Sequence, residues 1–228
     1  MEAWGRVSVV GPLSGGNRNE VLEIRLSGER LVARRSRRSP AALDWELDLL
    51  EFLSSCGFRV PSVVPTLEGH RSASGWVVQR WLPGRLPVAT DWPTVASELT
   101  RLHSLTRDWP QRPGFLGTAE LLTATRGGDV DLTAMPPEAV TACRSAWRAL
   151  SPARSVIHGD PGAPNIRITP SGVGFLDWDE ARVDHPDLDL ADLPGAPPAA
   201  RRAVDAWEAA CGWQREPAYA RARLAALF

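Results

Sequence analysis

The sequence predicts an α+β chain of two lobes. A small N-terminal lobe carries an antiparallel β-sheet and one helix, and a larger C-terminal lobe is mostly helical. Three observations carry this reading. Short apolar runs separated by turn residues crowd the first 35 positions. A long helical stripe follows them. Beyond residue 88 the apolar spacing is mainly helical, broken by one late hairpin.

Val7 to Val10, Val21 to Leu26 and Leu31 to Arg35 alternate as strands. The first connection, GPLSGGNRNE, holds three glycines, and the second turns at Ser27-Gly28. This punctuation describes a β-meander. Ser39 is a suitable N-cap and Pro40 suits the first helical position. Leu43, Leu47, Leu50 and Leu53 then form one helical stripe. Glu46 borders that stripe, where a carboxylate is costly unless a cation meets it. Gly75 to Leu82 reads as a further strand, stopped by Pro83-Gly84.

The expected division is residues 1–82, a hinge at 83–87, and 88–228. Val95, Leu99, Leu102 and Leu105 predict a helix starting near Pro93. Residues 107–137 read as loop. A helix is expected from about Glu138 to Leu150, and helical structure again from Ala199 on.

Composition narrows the function. The 228 residues carry a net charge of -1, so no nucleic-acid or membrane partner is expected. All 26 basic residues are arginine, which excludes a Schiff-base lysine and makes a guanidinium the natural cation for a phosphate. Cys56, Cys143 and Cys211 form neither a disulfide framework nor a metal spacing. The opening stretch has no signal-type segment, so the cytoplasm is the expected location.

The chemistry concentrates in SVIHGDPGAPNIRI, residues 155–168. Asn165 precedes a strand. Pro170-Ser171-Gly172 turns it, and a second strand ends at Asp177-Trp178-Asp179. Hairpin geometry brings Asn165 and Asp177 to the same end, where two oxygen donors can converge on one hard cation such as Mg2+. Asp160 enters from the preceding loop, close enough to meet a substrate hydroxyl. This is an arrangement for phosphoryl transfer.

His158-Gly159-Asp160 with Asn165, then Asp177-Trp178-Asp179, resembles the HGDxxxxN and DWD-type motifs of the aminoglycoside phosphotransferase-like kinases, relatives of choline kinase. The resemblance extends over residues 8–193 and implies a protein-kinase-like two-lobe fold. It implies that Asp160 is the base or orienter of the acceptor hydroxyl, with His158 bracing the catalytic loop. Asn165 and Asp177 would bind magnesium, and Asp179 would either reach the metal or shape the loop.

Ser14, Gly15, Gly16 and Asn19 resemble the family's Gly-rich nucleotide loop. Val32-Ala33-Arg34 resembles its third strand, with Arg34 holding phosphates and pairing with Glu46. Many relatives have lysine there, and Arg35 competes for the role, since alternation lets only one of the two face the cleft. Gln79 to Gly84 resembles the hinge, where Trp81 either flanks the nucleotide base or packs. Leu102-His103 and Asp189-Leu190-Ala191 match smaller signatures, with Asp189 fixing the catalytic loop. His103 reads as a satisfied packing histidine, and His70 and His185 as surface residues.

The implied activity is transfer of the γ-phosphoryl of ATP or GTP to a small hydroxylated acceptor, with Mg2+, by a monomer or homodimer. An antibiotic acceptor, and so a resistance enzyme, fits the Arg-, Ala- and Pro-rich composition of a GC-rich bacterial genome. Aspartates 129, 131, 184 and 187, with Glu180, could line a cleft for a cationic acceptor or form a solvated rim. The alternative function is a catalytically weak pseudokinase or nucleotide-binding regulator, motivated by the arginine at the lysine position. The joint presence of Asp160, Asn165 and Asp177 argues against it.

Overall fold

The computed structural model describes residues 1–13, 19–193 and 195–228. In chain order, β1 (Val7–Pro12), β2 (Glu20–Leu26) and β3 (Glu29–Arg35) lead into α1 (Pro40–Ser55), followed by β4 (Val63–Val64) and β5 (Trp76–Arg80). Next come α2 (Trp92–Leu105), β6 (Arg126–Gly127), β7 (Val130–Asp131) and α3 (Pro137–Arg148). The site segment contributes β8 (Ser155–Ile157), β9 (Ile166–Thr169), β10 (Gly172–Phe175) and β11 (Arg182–Asp184). The chain closes with α4 (Asp187–Leu190), α5 (Pro198–Gly212) and α6 (Pro217–Ala225).

These residues group into two compact units. One comprises Met1–Ala89 with Gly162–Asp177, and the other Thr90–Pro161 with Trp178–Phe228. The first unit holds a five-stranded sheet in the order β1-β2-β3-β5-β4, with every neighbouring pair antiparallel. The β2–β3 turn is a two-residue loop in which Ser27 (φ 52) and Gly28 (φ 85) are both left-handed. That twist matches the flanking strands, and glycine takes it without a Cβ penalty. The Ser39 hydroxyl accepts the Ala42 N–H at 3.3 Å and so caps α1. Leu43, Leu47, Leu50 and Leu53 are all buried, as the helical spacing predicts.

The β9–β10 hairpin belongs to this first unit. Its backbone is tied in at three points: Arg85 N–H to Ile168 C=O (3.0 Å), Ile168 N–H to Arg85 C=O (2.8 Å), and Phe175 N–H to Arg59 C=O (2.9 Å). The Arg59 guanidinium also donates to the carbonyls of Gly172 (3.1 Å) and Pro83 (3.3 Å). The segment that follows β5 is thereby stitched to the hairpin through its polar backbone groups.

In the second unit, α2 buries Val95, Leu99 and Leu102, while Leu105, expected on the same stripe, is 44% exposed. The helix ends at Leu105, and the following Thr106 instead closes it by donating its hydroxyl to Leu102 C=O at 2.8 Å. Helices α3 and α5 share a core around Cys143, Trp147, Ala203 and Ala206. Strand β8 pairs antiparallel with β11, in the register Arg182↔Ile157 to Asp184↔Ser155. Each has three residues, too few to show alternation in the sequence. Residues 107–137, read as loop, contain 3-10 turns and the short β6–β7 pair. Among the described residues no helix is long and apolar enough to cross a membrane.

Candidate active site

Strand β8 delivers the chain to His158, which is fully buried, and two residues later to Asp160, which is exposed. Asp189 of α4 controls the turn between them. Its Oδ2 accepts the His158 N–H (2.8 Å) and its Oδ1 the Gly159 N–H (2.9 Å). His103 of α2 bonds Oδ2 through Nε2 at 2.9 Å. Burial alone would raise the Asp189 carboxyl, but the His103 hydrogen bond, the neighbouring His103 and His158 rings and the Gly159 amide outweigh it and lower it. A buried carboxylate is thus held ionised by partners from α2 and the loop, and in return it fixes the loop's backbone.

His158 Nδ1 accepts the Asp160 N–H at 3.3 Å, and its ring lies against Trp178 with centroids 4.7 Å apart. An accepting Nδ1 places the ring proton on Nε2. The imidazole therefore braces the loop through hydrogen bonds and packing. Gly159 has φ +90, and a Cβ there would stand 2.7 Å from Glu180 C=O. Only glycine lets the loop run this close to the following turn. The result is an exposed Asp160 on a backbone held by Asp189 and His158.

The hairpin forms as its punctuation predicts. Asn165 ends a 3-10 turn, with its N–H on Gly162 C=O at 2.9 Å. The register runs Ile166↔Phe175 and Ile168↔Val173. Leu176 N–H closes it on Asn165 C=O at 2.8 Å. Asn165 and Asp177 therefore stand at the same end, and Asp177 is exposed with a left-handed φ of 57. An amide oxygen and a carboxylate are hard donors, and that pair fits Mg2+ with its preference for oxygen and retained water. Asp179, two residues on, is buried.

The nucleotide-side residues fall in the first unit. Ser14, Gly15 and Gly16 lie outside the described residues, while Asn19 is half-buried just before β2. Arg34 donates to Glu46 Oε1 in an ion pair whose side chains are 7% and 1% exposed. Arg35 points the other way, with 59% of its side chain exposed. The carboxylate on the edge of the α1 stripe thus meets its cation. Gln79 is buried in β5 opposite Val32 and Val63. One face of Trp81 carries the Arg30 guanidinium, 3.4 Å from the ring centroid.

Several polar residues sit deeper than their sequence context suggests. His185, expected on the surface, is 5% exposed, with Nε2 on the Ser151 hydroxyl at 2.6 Å. Asp184 is buried and takes hydrogen bonds from Thr118, His185 N–H and Arg182, so it is no cleft-rim carboxylate. Asp131 is held by Arg126 and Thr133, and Asp129 by Arg215. Arg112 was not singled out by any motif, yet it is fully buried under the turn that follows Asp177. An arginine between prolines in a loop carries no sequence signal for burial.

Comparison with known proteins places this geometry. No curated protein matches the sequence. Among solved structures, the aminoglycoside phosphotransferase APH(4)-Ia is similar with a TM-score of 0.69 at 14% identity, over 99% of this chain and 95% of that chain. A choline kinase from Streptococcus pneumoniae gives 0.67 at 15% identity, over 96% and 92%. An amicoumacin kinase, in complex with AMP-PNP, Ca2+ and Ami, gives 0.64 at 17%, over 96% and 80%. At these identities the likeness establishes the α+β, protein-kinase-like fold. A profile of the phosphotransferase enzyme family, matching residues 9–225, does the rest: this chain belongs to that family.

Proposed function

We propose that the protein moves the γ-phosphoryl of ATP or GTP to a hydroxyl of a small molecule, with antibiotics as the first acceptor class to test. One observation carries the reading. A loop braced by Asp189 carries the exposed Asp160, five residues before Asn165, and the hairpin that follows holds both Asn165 and Asp177 at one end. Structurally similar proteins include an amicoumacin kinase and APH(4)-Ia crystallised with hygromycin B, which supports an antibiotic acceptor. The similar choline kinase keeps small metabolites in the panel.

In this mechanism Asp160 accepts the proton of the acceptor hydroxyl as the oxygen forms its bond to the γ-phosphorus and the bond to the nucleoside diphosphate breaks. Asn165 and Asp177 would hold Mg2+, which when bound neutralises phosphate charge. Arg34, fixed by Glu46, contributes its positive charge to the nucleotide phosphates. His158 and Asp189 keep the loop in place. Residues 83–87 serve as the hinge between the nucleotide and acceptor halves.

The test is Mg2+-dependent transfer from ATP and from GTP across a panel of hydroxylated antibiotics and metabolites, read as the mass gain of one phosphate. Asp160→Ala is expected to lower the rate by about 10²–10⁴-fold. Tight nucleotide binding with no product, identical in wild type and variant, would overturn the proposal in favour of a regulatory nucleotide binder.

A further inference from the structure

Residues Trp178–Glu180 form the 3-10 turn after Asp177, in which Ala181 N–H bonds Trp178 C=O at 3.1 Å and the Arg182 guanidinium donates to Glu180 C=O at 3.3 Å. Arg112, 0% exposed, adds a brace from beneath. Its Nη1 donates to the carbonyls of Trp178 (3.1 Å), Asp179 (2.9 Å) and Ala181 (3.1 Å). The guanidinium carbon lies 4.7 Å from the Phe115 ring centroid. The preceding residue extends the brace: Gln111 Nε2 donates to Val183 C=O (2.8 Å), and Gln111 Oε1 accepts the N–H groups of Val183 (3.0 Å) and Arg112 (2.8 Å).

Burying a guanidinium carries a large desolvation penalty, and a methionine would fill similar volume without it. What a methionine lacks is a charged donor: Nη1, with two N–H bonds, stands within reach of three carbonyl oxygens and shares one N–H between two of them. The carbonyls come from residues 178, 179 and 181, so the side chain dictates the path of the backbone that leaves Asp177 and carries Asp179.

We propose that Arg112 is a positioning residue for the Asp177–Asp179 turn, setting the direction of its carboxylates. The consequence for metal binding rests on the reading given under Proposed function. Partners one step removed from a metal ligand are typically worth about 10–100-fold in metal affinity.

The experiment uses the full chain as wild type, Arg112→Met and Arg112→Lys. Hydrogen exchange of peptides covering 178–183 is compared with peptides from α5, and calorimetry follows AMP-PNP binding as Mg2+ is titrated. In Arg112→Met, exchange is expected to rise selectively in 178–183, and the half-saturating Mg2+ concentration to rise about tenfold. Metal-free nucleotide affinity should stay unchanged, and Arg112→Lys should fall between the two. Exchange rising evenly through the unit, or an unmoved Mg2+ half-saturation beside a loosened turn, would overturn the proposal. Should Arg112→Met fail to fold, Arg112→Lys carries both measurements with the same expected directions. Should wild type bind no nucleotide with Mg2+, the proposed function falls. The exchange pattern alone then decides the brace: selective loosening sustains it, and even loosening ends it.

Discussion

The carboxylate of Asp189 holds the backbone N–H of His158 at 2.8 Å, a contact that ties α4 to the loop carrying Asp160. The same oxygen bonds His103, and the other oxygen takes Gly159 N–H. Asp189→Asn turns one acceptor into a donor that must face an N–H. The expected loss is about 1–3 kcal/mol of stability for a buried group left unsatisfied, and a displaced Asp160 lowers transfer by up to about 10²-fold. The Asp189 pKa is lowered, so its contribution to stability is present above the ordinary value of 3.8 and is lost as pH falls through the native value. Melting curves from pH 5 down to about pH 2 should fall less steeply for Asp189→Asn than for wild type. Equal slopes would mean that Asp189 is not the ionised partner described.

Arg34 and Glu46 form the buried ion pair of the first unit. Glu46→Ala removes the carboxylate partner of a buried guanidinium and is expected to destabilise by about 3–5 kcal/mol. Arg34→Lys keeps the charge but loses the fork, so it should fold near normally and raise KM for the nucleotide more than it lowers kcat. Chemical denaturation measures the first effect and steady-state kinetics the second. A KM unchanged in Arg34→Lys would remove Arg34 from the nucleotide site.

How far these features were legible follows from the range of the interactions involved. The hairpin bearing Asn165 and Asp177 was readable because Ile166, Ile168, Val173 and Phe175 alternate around Pro170-Ser171-Gly172. The Ser39 cap, the leucine stripe and the need of Glu46 for a cation were local patterns of the same kind. The β8–β11 pair was not readable, since three residues show no period. Nor was the burial of Arg112, Asp184 and His185, because each is stabilised by groups distant in sequence. Arg112 reaches carbonyls more than 60 positions away. Polar residues in a loop look solvated until the partners that satisfy them are known.

Gly159 makes a steric prediction. With φ +90 and a Cβ position 2.7 Å from Glu180 C=O, Gly159→Ala must move either the loop or the turn after Asp177. Strain of this kind costs about 1–3 kcal/mol. The variant should remain folded, with a lower melting temperature, and lose transfer activity at least as severely as Asp189→Asn. Full activity in a folded Gly159→Ala would show that the loop tolerates displacement and that its rigidity has no part in positioning Asp160.

His185 makes a prediction at milder pH. Nδ1 accepts the Asp187 N–H at 3.2 Å, so the ring proton sits on Nε2 and is donated to Ser151 Oγ at 2.6 Å. A second proton would place N–H against N–H. Burial lowers the His185 pKa below 6.5, and His103 adds to this, while the nearby Asp187 and Asp184 only partly offset it. The unfolded chain therefore takes up a proton that the folded chain refuses. The stabilisation is fully present above pH 6.5 and is lost as pH falls from there toward the native value. His185→Asn keeps a short acceptor without titrating. Between pH 7.5 and 5.5 its melting temperature should fall less than that of wild type, while the acid slope below pH 4 assigned to Asp189 remains. A drop identical in the two proteins would assign the mild-acid sensitivity to another group and place the His185 proton differently from the geometry described.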